Sequence, residues 1–352
     1  MKAIGVAKYG SINNFEPRDV PRPSSPTGHD ILVKIKAMTV NPIDTKVRNG
    51  TYDDAPDYYN HVPKDFHIIG FDGSGTIIET GPECTSFKPG DEIFFVGSTT
   101  RQGSAAEYVL VDERGCAKKP ASLDYLEAAS IGLTFGTAYQ SLFERLEIKQ
   151  KENVGVLVIN GGGGVGSAAI QLARNVLQLP VVIATASRPE TIESCKRMGA
   201  THVVNHREDL EAQIKALNLD VPIKYAYIVA RTEQYIDALG KILAPFGKVC
   251  SIVQAKFDFY GSDFMSKSLT FSWDWLGSSA YHRTNLENFH RIFETLSALV
   301  DEGKIRPNLT KRHRLDLKGL KEAHQLIESG KTVGKLALGV DEGGDGAPFT
   351  GC

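Results

Sequence analysis

Val156–Asn175 reads VLVINGGGGVGSAAIQLARN: an apolar run, four glycines in a row, then small and apolar residues at helical spacing. Gly161, Gly163 and Gly166 satisfy G-x-G-x-x-G. The pattern alone is weak, but here a predicted strand precedes it and a predicted helix follows. In that setting the glycines let the main chain approach a pyrophosphate. The helix beyond offers free N–H groups and the positive end of its dipole. The stretch therefore predicts a dinucleotide site at Gly161, Gly163, Gly164, Val165 and Gly166.

Outward from this turn, strand and helix alternate. Apolar runs predict strands at Gly155–Asn160, Val181–Thr185, His202–Asn205, Tyr225–Ala230 and Lys248–Val253, with a further strand in LTFSWDWLG (269–277). Pro189 and Gly199 bracket a helix in the usual order, proline just inside the start and glycine just past the end. Such alternation predicts a parallel sheet covered on both faces. The second strand ends in Ala186, Ser187 and Arg188, with no acid to bind a ribose 2′-hydroxyl. Ser187 can donate to a 2′-phosphate and Arg188 can pair with it, which predicts NADPH as the cofactor.

The first 120 residues have another character. DILVKIKAMTV (30–40) alternates with period two, and SGTIIETG, DEIFFVG and AAEYVLVDE are short apolar runs between turn residues. This half predicts an antiparallel, partly barrel-like β domain. A helix is expected from near Leu123, an amphipathic helix in LENFHRIFETLSALVDEGKI (286–305), and a last strand in GKLALGV (334–340). The end, DEGGDGAPFTGC (341–352), is Gly-rich and polar and is expected to stay unpacked.

Of 352 residues, 41% are hydrophobic and 23% charged, as a packed globular protein requires. A net charge of -2 supports neither nucleic acid nor an anionic membrane as partner. No run approaches the ~20 apolar residues that span a bilayer, and MKAIGVAKYG is not a secretory leader. The five cysteines are scattered without a C-x-x-C, which points to reduced thiols and a cytoplasmic protein.

Several segments together, in order, resemble the medium-chain dehydrogenase/reductase superfamily: VNPIDTKVR, IIGFDGSGTIIETG, FKPGDEIFFVGS, RQGSAAEYVLVDE, GLTFGTAYQSLF, INGGGGVGS, TASRPET and MGATHVVNH. Within it the chain looks like the zinc-independent quinone oxidoreductases, in the subgroup labelled zinc-type alcohol dehydrogenase-like. The resemblance implies an α/β fold: a GroES-like β-rich catalytic domain (1–122 and 292–340) plus a Rossmann doubly wound parallel-sheet domain (123–291), with 341–352 as a flexible tail. Zinc-dependent members carry metal ligands where this chain has Asn41, Phe71 and Leu133, none a zinc ligand, so no metal is expected. His61 and His67 lie near but show no i, i+4 spacing, and are expected to be loop or surface residues.

The resemblance also places Asn41, Asp44 and Tyr52 at a catalytic cleft between the domains. Asn41 would donate to a substrate oxygen, Asp44 would organise water or the nicotinamide side, and Tyr52 would supply a proton or hydrogen bond. Turn and capping chemistry is the competing reading of Asn41 and Asp44. Thr134 matches a nicotinamide-side contact, Ser187 and Arg188 the 2′-phosphate end, His206 a substitute phosphate contact, and Lys335 a further cofactor contact. The implied activity is hydride transfer to a quinone or an α,β-unsaturated carbonyl (enone), by a homodimer paired through LTFSWDWLG. The alternatives are a pathway-specific enoyl reductase and a non-catalytic NADPH-binding protein.

Overall fold

The computed structural model describes residues 1–51, 62–63, 65–343 and 347–351. The chain forms two compact units: Met1–Leu133 with Gly277–Gly303 and Leu309–Cys352, and Thr134–Leu276 with Lys304–Asn308. Among the described residues no helix is long and apolar enough to cross a membrane.

The second unit is built on a six-stranded, all-parallel sheet. Its spatial order is His202–Val204, Val181–Thr185, Gly155–Ile159, Ile223–Ile228, Lys248–Ser251, Thr270–Trp273. The strand order reverses at Gly155–Ile159, and the glycine turn stands at the carboxyl end of that strand, where doubly wound sheets bind ligands. Every residue of Gly155–Ile159 is buried, as expected of a central strand covered on both faces. The six expected strands are all present; the helix opened by Pro189 runs Pro189–Met198 and ends at Gly199 with φ 108°.

The first unit holds two sheets. In the smaller, Lys2–Val6 pairs antiparallel with Phe15–Asp19 and His67–Ile68. In the larger, Asp30–Thr39 pairs antiparallel with Asp72–Thr80, Tyr108–Asp112 and Lys335–Gly339. Lys335–Gly339 is also flanked by Leu309–Arg314, the one parallel pair of that sheet, for which no strand was expected.

Three segments belong elsewhere than the sequence boundaries suggested. The helix Tyr125–Ala129 sits on the first unit's sheet: Ser74 Oγ donates to Tyr125 O (2.5 Å), and Leu126 and Ala129 pack with Ala37 and Ala337. The helix Leu286–Asp301, which the expected boundary at 292 divided, lies in that unit over its whole length, with Phe293 edge-on to Phe94 and Ser297 Oγ bonded to Lys118 O. The expectation of a wholly unpacked tail is corrected at Phe349. It is 4% exposed, lies in the hydrophobic core, and its N–H donates to Leu315 O (2.8 Å). One aromatic ring with two chain-pairing bonds offsets the ordering entropy of a Gly-rich segment.

Candidate functional site

The glycines of the turn differ in what they do. A Cβ on Gly166 would stand 2.3 Å from Asn160 O, and one on Gly161 would stand 2.7 Å from Ala184 Cβ. These two are glycine because the protein itself leaves no room. A Cβ on Gly163 would meet nothing nearer than Asn160 Nδ2 at 3.6 Å, ordinary contact. No described residue thus requires a glycine at position 163. Gly163 is also the N-cap of the helix Gly164–Gln171, with no side chain capping that end, so the N–H groups of Gly164 and Val165 start the helix uncapped. The turn suits a dinucleotide diphosphate.

At the neighbouring strand ends, Arg188 is the half-buried N-cap of Pro189–Met198, its N–H bonded to Thr191 Oγ1. Its guanidinium lies 3.3 Å from Glu190, an acid one turn too late in sequence to register as the diagnostic one. Ser187 is half-buried and its hydroxyl has no partner among the described residues. His206 Nδ1 lies 3.3 Å from Thr185 Oγ1. Burial first, then the guanidiniums of Arg207, Arg231 and Arg188, push His206 below its ordinary pKa. Thr134 is buried on the helix Gly132–Tyr139.

The first unit holds a buried polar cluster. Asn41 caps the helix Pro42–Asn49, and Asp44 Oδ2 accepts the Asn41 N–H at 2.6 Å while Oδ1 accepts the Phe71 N–H at 3.2 Å. Asp72 accepts from Thr39 N (3.1 Å), Thr39 Oγ1 (2.6 Å) and Asn41 Nδ2 (3.0 Å). Lys335 Nζ donates to Thr39 Oγ1 and Asn41 Oδ1, both at 2.6 Å, and lies 3.7 Å from Asp72. All five residues are buried. Burial, with Asp72 adding repulsion, raises the Asp44 pKa to about 7, and burial holds Lys335 below its usual range.

These positions alter the expected roles. Asn41 spends its carbonyl on Lys335 and an amide hydrogen on Asp72, rather than standing open as a donor. Asp44 does the capping work of the competing reading and in addition ties down the Phe71 backbone. Lys335 is enclosed among protein partners within the first unit. Thr39 and Asp72 were not singled out as site residues; the only signal was a carboxylate in the otherwise apolar run IIGFDGSG. Tyr52 and His61 lie outside the described residues. His67 is not a surface residue: it is 1% exposed and its Nδ1 is 2.9 Å from Tyr9 OH. Where zinc-dependent enzymes place ligands, Phe71 packs with Ile43, Val47 and Leu133. That apolar cluster and the occupied Asn41 amide do not fit a zinc ion.

The Asp44 environment makes a testable statement about pH. Its pKa is raised from 3.8 to about 7 on folding, so its favourable contribution is fully present below 3.8 and lost as pH rises through about 7. Three pH units correspond to about 4 kcal/mol. Asp44→Asn, which cannot ionise, should therefore gain stability relative to wild type between pH 5 and pH 8 in urea unfolding. An unchanged difference at the two pH values would refute the buried-acid assignment.

The chain matches two family models, the alcohol dehydrogenase GroES-like domain over residues 27–121 and zinc-binding dehydrogenase over residues 198–338. A zinc-type alcohol dehydrogenase-like protein of Staphylococcus aureus (strain COL) is 36% identical over 97% of this chain and 100% of its own. A quinone oxidoreductase of Lama guanicoe is 31% identical over 96% of this chain and 97% of its own. The crystal structure of a protein from Rhizobium etli CFN 42, described as a zinc-dependent alcohol dehydrogenase, superposes with a TM-score of 0.88 at 38% identity, covering 96% of this chain and 98% of that one. With the β-rich unit, the doubly wound sheet and the glycine turn in place, the chain belongs to the medium-chain dehydrogenase/reductase superfamily of oxidoreductases, beside the zinc-type alcohol dehydrogenase-like proteins and the quinone oxidoreductases.

Proposed function

We propose that this oxidoreductase is an NADPH-dependent, zinc-independent reductase of quinones or enones. The observation that carries the reading is the end of Val181–Thr185, where Ser187 and Arg188 stand in place of a ribose-binding acid. When bound, NADPH supplies hydride from its dihydronicotinamide. The chain supplies the rest: Gly163 leaves room for the diphosphate, the uncapped helix end answers its charge, and Ser187, Arg188 and His206 receive the 2′-phosphate. Asn41, Asp44, Asp72 and Lys335 act as positioning residues, held rigid by one another instead of by a metal. A carbonyl without a Lewis acid is a poor target for direct reduction. Acceptors that take hydride at a conjugated carbon or a quinone ring suit this site better.

NADPH oxidation should be measured against a panel of quinones and enones, with and without EDTA. Turnover unaffected by the chelator is expected; turnover of simple aldehydes alone, or loss of activity with EDTA, would sink the reading. Arg188→Ala should raise the Michaelis constant for NADPH about tenfold, from the loss of charge-assisted bonds at a half-exposed site, and leave that for NADH almost unchanged. Equal effects on both cofactors would show that Arg188 does not read the phosphate.

The proposed assembly is a homodimer. Thr270–Trp273 is the edge strand of the parallel sheet, and Trp273 (44% exposed) and Phe259 (37%), both edge-on to Phe271, leave apolar surface on it. An uncovered apolar edge invites pairing, which a second copy satisfies. Light scattering at micromolar concentration should give twice the 38.4 kDa chain mass; a monomer mass rejects the assembly.

A further inference from the structure

Within the first unit the helix Leu317–Glu328 packs on the helix Pro42–Asn49, and a buried guanidinium joins them. Arg48, 3% exposed, donates through Nη1 to Gly10 O and through Nη2 to Glu328 Oε1. The Gly10 N–H returns a bond to Arg48 O at 3.0 Å. His324 stands one turn before Glu328 on the same face of its helix and is 1% exposed. Its ring meets Phe15 edge-on with centroids 4.8 Å apart, and neither ring nitrogen has a hydrogen-bond partner among the described residues. Asp44 lies one turn from Arg48 on the same face of Pro42–Asn49. That helix is thus held at both ends, by Asp44 to the Asn41 and Phe71 N–H groups and by Arg48 to Gly10 and Glu328.

A buried imidazole without acceptors stays neutral. Protonation would add a charge and a second N–H where no described group receives either, on the helix face that a guanidinium already meets. Burial first, then Arg48, push the His324 pKa from 6.5 down to about 3. The other charges on the elements around this helix are engaged or lie outward. Glu16 pairs with Arg18, His313 with Glu322, Arg312 with Asp124, and Arg314 Nη1 with Glu342 O, while Lys335 belongs to the buried cluster. Asp19, Lys311 and Lys318 are exposed and Lys46 and Lys321 half-buried, so Arg48 is the charge that acts on the ring.

We propose that Arg48 is a positioning residue of the catalytic unit, and that His324 makes its hold on the helix Pro42–Asn49 acid-labile. Arg48 ties that helix, and with it Asn41 and Asp44, to Leu317–Glu328. Protonation of His324 parts the two helices, which brings the imidazolium to water and releases Arg48. The catalytic part rests on the reductase reading above; the coupling of the two helices does not. The sign follows from the neutral ring. The closed arrangement excludes a proton that the open one binds at 6.5, so the His324 contribution is fully present above pH 6.5 and is lost about tenfold per pH unit below it, until about pH 3. Asp44, raised to about 7, works in the opposite sense over much of this range, so the His324 effect is read against a variant that keeps Asp44.

Hydrogen exchange read by mass spectrometry on the full-length wild type and His324→Leu, between pH 4.5 and 6.5, tests the coupling. Protection factors in Leu317–Glu328 and Pro42–Asn49 should rise in His324→Leu relative to wild type by about tenfold per pH unit as pH falls, while those of the central strand Asp30–Thr39 stay equal in the two proteins. A constant ratio in either helix, or the same rise in Asp30–Thr39, which means global unfolding, overturns the acid-labile hold. Kinetics at pH 7.5 with the best acceptor of the quinone and enone panel test the positioning. Arg48→Met should lower kcat by roughly tenfold and keep the NADPH dissociation constant within twofold of wild type. Glu328→Ala, at an exposed position that leaves folding safe, should lower kcat in the same sense. Unchanged kcat in both variants, or an equal loss of NADPH affinity, overturns the positioning role. Wild type that turns over no member of the panel removes the reductase reading, and the exchange ratios still decide the coupling.

Discussion

Gly163→Val should cost the protein its dinucleotide and leave its fold intact. The backbone there is extended, at φ -82° and ψ 177°, a region a valine adopts without strain. Beyond its neighbours in the chain, no described residue lies within 3.6 Å of the added Cβ, so unfolding free energy should stay within about 0.5 kcal/mol of wild type. The side chain would instead stand where the main chain must approach the diphosphate, so NADPH binding should be lost. Gly166→Ala should do something different. Its Cβ would press on Asn160 O at 2.3 Å and on Gly161 Cα at 2.7 Å, backbone atoms that cannot swing aside. Overpacking of this kind destabilises by about 1–3 kcal/mol. Urea unfolding and NADPH fluorescence titration separate the two. If Gly163→Val were as unstable as Gly166→Ala, or bound NADPH like wild type, the division of labour within the turn would be wrong.

Lys335→Met should be among the most destabilising single changes in the catalytic unit. It removes the one cation paired with the buried Asp72 carboxylate among the described residues, and leaves the Asn41 carbonyl without its Lys335 donor. Breaking a buried pair from one side costs about 3–5 kcal/mol, because the surviving charge is stranded in a medium of low polarity. The double variant Lys335→Met/Asp72→Asn should recover most of that loss, since an amide can still accept the Thr39 N–H and hydroxyl bonds without carrying charge. Urea unfolding at pH 7 reads both. A cost below about 1 kcal/mol for the single variant, or no recovery in the double, would show that the ammonium is not the counter-charge of Asp72.

The parallel sheet was legible because its signals are local. Each strand is an apolar run closed by Gly, Pro or polar residues, and the glycine turn identifies which strand comes first. The strand end without an acid was equally legible, being a matter of neighbours in the chain. What stayed hidden depends on distance along the chain. Leu309–Arg314 reads LTKRHR, a charged edge strand with no apolar alternation, and it forms because Lys335–Gly339 offers it a partner. Tyr125–Ala129 was read as a helix, but its attachment to the first unit rests on side chains of residues 37, 74, 92 and 337.

The site divides along the same line. The sequence by itself determined the glycine turn, the helix behind it and the presence of Ser187 and Arg188, because hydrogen-bonding geometry over a few adjacent residues specifies them. Only the tertiary structure decided that Asn41, Asp72 and Lys335, nearly 300 residues apart at their extremes, share one buried network. Charges on separate strands have no signature in local pattern. Their meeting is set by sheet order and register, and what they do to one another follows from burial, which no single residue type carries with it.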